Sequence, residues 1–268
     1  MEGSQMTIWQ RWLQRAPLLA LGALTLNLAA IVVVDVLWVS SSNEGPMWYV
    51  LYHEAGITEH LQWTFLGAAA MLSIWNSARV VGREARYWRW FGIGLLLMLI
   101  EDAGNTSHRV RVYLGWIVGE ELGSLGRLPV FLALAALLVG VAVLYRDVWL
   151  SVPGMPVRLV SGYLLYGLAS TLSVPFNIIG RGYQETGEAL FDGVLGGRLP
   201  SLPEKMWWWD GTEGDTTAIV FMDFVIEESI ELLAASLLFA AVFTGFQLIR
   251  TREPLGQYGS PVTGREGA

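Results

Sequence analysis

Cysteine is absent from the chain and lysine is almost absent. None of the 268 residues is a cysteine, which excludes disulfides, thiolate metal sites and cysteine nucleophiles. Lys205 is the single lysine and falls in a polar loop, which argues against a retinal Schiff base on a membrane helix. Any metal ion bound by this chain would therefore have oxygen and imidazole ligands.

Charged residues are also scarce. They make up 15% of the chain, where a soluble domain has about a quarter, and hydrophobic residues make up 53%. The net charge of −7 argues against a nucleic-acid partner, because binding phosphates requires clustered cations. Mean hydropathy is +0.45, with the apolar residues in long blocks. This pattern predicts an integral membrane protein whose main partner is the lipid bilayer.

Six apolar stretches are long enough to cross the hydrocarbon layer as helices. They do not alternate as the strands of a β-barrel would. The sequence therefore predicts an all-α, polytopic bundle of six transmembrane helices in one domain, 1–252, followed by a flexible cytoplasmic tail, 253–268. A short amphipathic segment, 112–125, is expected to lie at the membrane interface. The predicted spans are 17–39, 61–80, 90–108, 128–145, 159–179 and 218–249.

Arginines indicate the orientation. Arg11 and Arg15 precede the first span. Four more arginines, at positions 79, 83, 86 and 89, lie between the second and third spans. By the positive-inside rule, both termini are expected in the cytoplasm. The localisation predicted from these features is a bacterial-type inner membrane.

Most acids, and all three histidines, fall on the predicted outer side, where they concentrate in three segments. This distribution predicts an acidic outer pocket. The first segment enters the second span, the next ends the third span, and the last begins the sixth span. Their candidate residues are Glu54, Glu59 and His60; Glu101, Asp102, Asn105, His108 and Arg109; and Asp223, Glu227, Glu228 and Glu231.

Glu101 and Asp102 form the most unusual pair. Only residues 90–100 separate Arg89 from Glu101, about 16 Å of helix in a layer about 30 Å thick. This spacing predicts that both acids lie near mid-membrane, where an acid needs a partner or a water-filled cavity. The alternative is a tilted or re-entrant segment that ends at Gly104 and Asn105 and leaves the acids at the interface.

The faces of the helices suggest a metal site. Glu101, Asn105 and His108 share one face if the third helix continues, and Asp223, Glu227 and Glu231 share one on the sixth. With Glu59, His60 and Glu228, they would supply oxygen and nitrogen ligands for a divalent ion of the zinc, manganese or iron class. The Glu-x-x-His and His-Glu-x-x-His motifs are missing. The acids of the second and sixth spans would alternatively be solvated helix extensions.

The sequence is consistent with three functions. The leading hypothesis is metal-dependent chemistry on a lipid or small amphipathic substrate, with Glu101 and Asp102 in catalysis and Arg109 neutralising one of them. A second is a cation or proton transporter that uses the same acids as a relay. Its weakness is that 95–100 provides no polar side chain toward the cytoplasm. A third is a non-catalytic subunit that binds other membrane proteins.

Overall fold

The computed structural model describes residues 13–38, 47–52, 56–119, 126–173, 182–190 and 220–252. Every regular element in this part of the chain is helical. We number the α-helices in chain order. They are α1 (Ala16–Ile31), α2 (Met47–Tyr52), α3 (Ile57–Arg79), α4 (Gly82–Gly104), α5 (Thr106–Val118), α6 (Arg127–Leu144), α7 (Arg146–Leu150), α8 (Met155–Ser173), α9 (Gly182–Glu188) and α10 (Glu228–Arg252). The predicted tail, 253–268, lies outside the described residues.

Two π-helical segments adjoin these helices. Val32–Trp38 extends α1, and Met222–Glu227 leads into α10. Asp35, in the first π segment, accepts hydrogen bonds from the backbone N–H groups of Met47 and Trp48, at 2.7 and 2.9 Å. This buried carboxylate satisfies amides at the start of α2, which otherwise lack intrahelical partners. It thereby attaches α2 to the end of α1.

Among the described residues, three helical segments are long and apolar enough to cross a membrane. They are Ala16–Asp35, Arg127–Leu144 and Phe224–Arg252. The prediction of an all-α protein with membrane-spanning helices is therefore confirmed at this level. The predicted spans 61–80 and 159–179 correspond to α3 and α8, although 174–179 lies outside the described residues.

Helix α10 is central to the bundle. It packs along α3 and α8 and also contacts α1. Small residues cover much of its length, and Ala234, Ala235 and Ser236 are fully buried. Gly245 lies so close to the Trp88 ring of α4 that no Cβ would fit. Small side chains allow helices to approach closely, which is how membrane helices gain contacts that lipid does not provide.

The third predicted segment, 90–108, differs from the structure. Its helix, α4, begins at Gly82 and ends at Gly104, because Asn105 adopts a left-handed conformation with φ 44° and ψ 46°. The arginines at 83, 86 and 89, which favour helix, belong to α4 and not to a loop. The break at Asn105 starts a new helix, so Glu101, Asn105 and His108 do not share one helical face as the sequence predicted.

The predicted amphipathic segment, 112–125, is likewise shifted. Helix α5 covers Thr106–Val118, and its Tyr113, Trp116 and Ile117 are exposed. Positions 120–125 lie outside the described residues. The exposed aromatic and apolar side chains fit the expected place of this helix against lipid headgroups.

Candidate functional site

A buried glutamine joins two acids from different helices. Gln62 of α3 is fully buried, and its Nε2 donates hydrogen bonds to Asp102 Oδ2 of α4 at 2.6 Å and to Glu231 Oε2 of α10 at 2.8 Å. An amide group has two N–H bonds, and here each one is directed at a different carboxylate. Three helices that are far apart in sequence thus meet at one side chain.

More acids surround this pair. Glu59, one turn before Gln62 on α3, is buried and acts electrostatically on Asp102, as does Glu101. The strongest charged neighbours of Glu231 are Asp102, Glu228 and Glu227. We call Glu59, Gln62, Asp102, Tyr166 and Glu231 the carboxyl cluster. Asp102 and Glu231 thus have several acids as neighbours, so the cluster carries a large cost if all of them are ionised.

Tyr166 completes the cluster from α8. Its hydroxyl lies 3.5 Å from Gln62 Nε2, and its strongest electrostatic neighbours include Asp102 and Glu231. Sequence reasoning missed both Gln62 and Tyr166, since it searched for acids and histidines. A search for every hydrogen-bonding side chain inside the apolar stretches would have included them.

Glu101 has partners of its own beside the cluster. It accepts hydrogen bonds from the side chain and the backbone of Ser107, at the start of α5, and interacts with Arg127 of α6. The sequence predicted that Arg109 neutralises one of the two acids, but Arg109 is exposed. Arg127 is a cation beside Glu101, and the break at Asn105 brings Ser107 back toward the acid while Arg109 stays on the surface.

The remaining candidates are dispersed. His60 is exposed, its Nδ1 lies 2.8 Å from the Gly56 carbonyl oxygen, and its ring contacts Trp63. Since successive residues of a helix point about 100° apart, Glu59 enters the interior while His60 leaves it. Glu227 and Glu228 are half-buried at the start of α10. The side chains of Glu54, His108 and Asp223 lie outside what the structure describes.

No group of three or more histidine or acidic side chains within the described ranges is arranged to hold a metal ion. In the cluster, the N–H side of the Gln62 amide points at Asp102 and Glu231. A metal ion needs ligand lone pairs directed toward it. This arrangement therefore favours hydrogen bonds from the amide, and not a metal ion, between the two acids. The divalent metal expected from the sequence stays a prediction.

The cluster lies near one end of the bundle and not at its middle. Asp102 follows the start of α4 at Gly82 by twenty residues, about 30 Å of helix. The prediction of a mid-membrane position took Arg89 as the point where the helix enters the hydrocarbon. It stays a prediction, and the earlier start of α4 adds helix before the acids. The acids are shielded by the neighbouring helices α3, α8 and α10.

No family model, curated protein or solved structure matches this chain. The fold and the site together define a helical protein with membrane-spanning segments and a buried carboxyl cluster. Its function has to be inferred from the chemistry of that cluster.

Proposed function

We propose that this protein is a six-helix membrane transporter in which the carboxyl cluster binds and releases a proton. The observation that supports this most directly is the single Gln62 amide shared by Asp102 and Glu231. Buried acids that lie beside one another are expensive to ionise together, so the pair favours a state that retains a proton. A site that gains and loses one proton is the basic unit of proton-coupled transport.

Gln62 suits both protonation states. With both acids ionised, its two N–H bonds satisfy one oxygen of each. After a rotation of the amide, its carbonyl oxygen is able to accept a hydrogen bond from a protonated acid. Gln62 Oε1 is buried and has no hydrogen-bond partner in the described part of the chain, so one acceptor is ready for this exchange.

Tyrosines lead from the cluster toward the arginine-rich end. Tyr163, one turn before Tyr166 on α8, and Tyr87 of α4 have buried hydroxyl groups, neither of which has a hydrogen-bond partner in the described part of the chain. The Tyr87 ring lies 6.1 Å from that of Tyr145, over which the Arg83 guanidinium sits at 5.1 Å. These side chains supply the polar positions that 95–100 of α4 lacks, and they reach the surface beside Asp147.

The six-span topology is part of this proposal. Helices α3, α4 and α8 have 23, 23 and 19 residues, long enough for about 30 Å of hydrocarbon. Along their middle and outer turns they expose large apolar side chains, among them Met71, Ile100 and Leu164, which are 71%, 52% and 68% exposed. Gln62, by contrast, is fully buried, and a protein with polar residues inside and apolar residues outside is suited to lipid. The arginines at the opposite end from the cluster favour a cytoplasmic position for both termini in an inner membrane.

Proton flux into liposomes tests this function. Purified protein is reconstituted into liposomes, and a pH gradient that drives protons inward is imposed. The internal pH is followed with a trapped dye. We expect flux above that of empty liposomes, and a loss of at least about tenfold in Asp102→Asn and Glu231→Gln, since each removes the titrating group. Glu84→Gln is the matched control because Glu84 pairs with Arg252 outside the cluster. No flux from folded wild-type protein, or equal flux in all variants, would overturn the proposal.

Metal-dependent chemistry on a lipid or small amphipathic substrate is the competing hypothesis. Elemental analysis of the protein used for the flux assay distinguishes the two. About one equivalent of a transition metal, lost in Glu231→Gln, would favour metal chemistry. Copurification of fixed membrane-protein partners, with neither metal nor flux, would favour a role as a subunit.

A further inference from the structure

A cavity lies at the other end of the bundle from the carboxyl cluster, between the last turns of α3 and α10. Its volume is about 270 Å³. The lining includes both polar and apolar side chains. They are Trp75, Asn76, Arg79, Phe246, Ile249 and Arg250.

Asn76 is the unexplained residue of this cavity. It is fully buried, yet neither its Nδ2 nor its Oδ1 has a hydrogen-bond partner among the described residues. A buried amide without partners costs about 1–3 kcal/mol for each unsatisfied group, so such an arrangement calls for a bound molecule. Nδ2 requires an acceptor, and Oδ1 requires a donor such as a hydroxyl.

Two arginines in the lining indicate that the bound molecule is an anion. Arg79 and Arg250 contribute to the lining from different helices, and the Arg79 guanidinium lies 4.6 Å from the centre of the Trp75 ring. Arginine binds phosphate oxygens with a planar set of donors, while stacking on an aromatic ring holds that plane in place. The cavity therefore favours an anion, and a phosphate beside the two guanidinium groups supplies the acceptor that Asn76 Nδ2 requires.

The surface next to the cavity is apolar. Trp75, Ile74 and Met71 of α3 are 52%, 43% and 71% exposed, and they continue from the cavity toward the middle of the helix. A free phosphate makes no use of this surface, whereas the acyl chain of a phospholipid covers it. We infer that the cavity binds the headgroup of an anionic phospholipid, with its phosphate at Arg79 and Arg250 and a headgroup hydroxyl at Asn76.

Lipid-dependent stability tests the inference. The full chain, purified in detergent, is titrated with phosphatidylglycerol, phosphatidylcholine or inorganic phosphate, and its unfolding temperature is measured. We expect stabilisation by phosphatidylglycerol only. Arg250→Gln should weaken the apparent affinity about tenfold, as expected for the loss of one charged hydrogen bond. Asn76→Leu should also weaken it, and without lipid this variant should be at least as stable as the wild type.

Arg89→Gln is the control for charge, since Arg89 is exposed on α4 and is not part of the cavity. It should respond to phosphatidylglycerol as the wild type does. Equal weakening in Arg89→Gln and Arg250→Gln would overturn the inference, since it would show a general effect of surface charge. Stabilisation by inorganic phosphate alone would overturn the lipid assignment and indicate a soluble phosphate ligand.

Discussion

Gln62 joins acids from two other helices through one amide group. Its amide is within hydrogen-bond distance of one carboxylate on α4 and another on α10. Because a buried acceptor that loses its donor costs about 1–3 kcal/mol, a single side chain here satisfies two expensive groups. The stability of the three-helix contact and the protonation of the acids are therefore coupled at one residue.

Replacing Gln62 should destabilise the fold. Gln62→Leu keeps most of the volume but removes both N–H donors, and we expect the free energy of unfolding to fall by about 2 kcal/mol or more. Chemical denaturation in detergent measures this. Thr64→Val is the control on the same helix, because Thr64 is exposed and donates only to the His60 carbonyl of its own helix. Equal unfolding midpoints in the two variants would contradict the role given to Gln62.

A surface pair gives a prediction about pH. The hydrogen bonds from Arg83 hold the pKa of the exposed Asp147 carboxyl below its ordinary value. A lowered pKa means that the pair contributes stability above the ordinary aspartate pKa of about 3.9 and loses it as the pH falls through the lowered value. The contribution should be small, since both side chains are in water.

Carboxyl-carbon NMR measures this pKa directly. In the Arg83→Gln variant the pKa of Asp147 should rise toward its ordinary value. Arg86→Gln removes an exposed arginine one turn away and should leave the pKa of Asp147 unchanged. An identical pKa in the wild type and Arg83→Gln would show that the pair does not persist in solution.

Sequence reasoning located acids better than it located their partners. Glu59, Asp102 and Glu231 are conspicuous because ionisable residues are rare in apolar stretches, and the structure brings these three together. Gln62 and Tyr166 are ordinary residues at helical positions, and only the packing of three helices shows that they face the acids. The sequence predicted His60 as an imidazole ligand beside the acids, but it points away from Glu59 because adjacent positions on a helix face different environments.

At the scale of elements, close contacts between helices depend on glycine. A Cβ at Gly245 of α10 would overlap the buried Trp88 ring of α4. Gly245→Ala should therefore lower the free energy of unfolding by about 1–3 kcal/mol, the usual cost of overpacking. Thermal or chemical unfolding checks this.

Gly140→Ala on α6 is the matched control, since nothing lies within 4 Å of its Cβ position. It should be neutral or stabilising because alanine favours helix over glycine by about 1 kcal/mol. Adding Trp88→Phe to Gly245→Ala should restore part of the loss. Equal stability of the two alanine variants would show that α4 and α10 have room to separate.

The sequence predicted the helix boundaries well where an apolar block ends in an ordinary turn. Helix α6, predicted at 128–145, covers Arg127–Leu144. The start of α4 was misplaced because arginines were taken to end the span, although arginine is a good helix former and its long side chain reaches water from inside a helix. The break at Asn105 depends on one left-handed residue, which hydrophobic periodicity does not reveal.

At the scale of the whole molecule, the number of crossings determines where the termini lie. Six crossings place both termini on one side of the membrane, whereas the three most apolar segments alone would place them on opposite sides. We expect both termini on the cytoplasmic side, where the arginines concentrate. Reporter fusions at each terminus, active only in the cytoplasm or only outside it, measure this, and opposite results for the two ends would rule out six crossings.

The π-helical segment before α10 also affects how the residues before it are oriented relative to that helix. A π turn contains one more residue than an α turn, so the chain before it is rotated about 100° relative to an uninterrupted α-helix. If Met222–Glu227 became a regular α-helix, Val220 and Phe221 would rotate about the helix axis while Glu231 kept its position beside Gln62. The π turn therefore sets the angle at which Val220 and Phe221 approach α10.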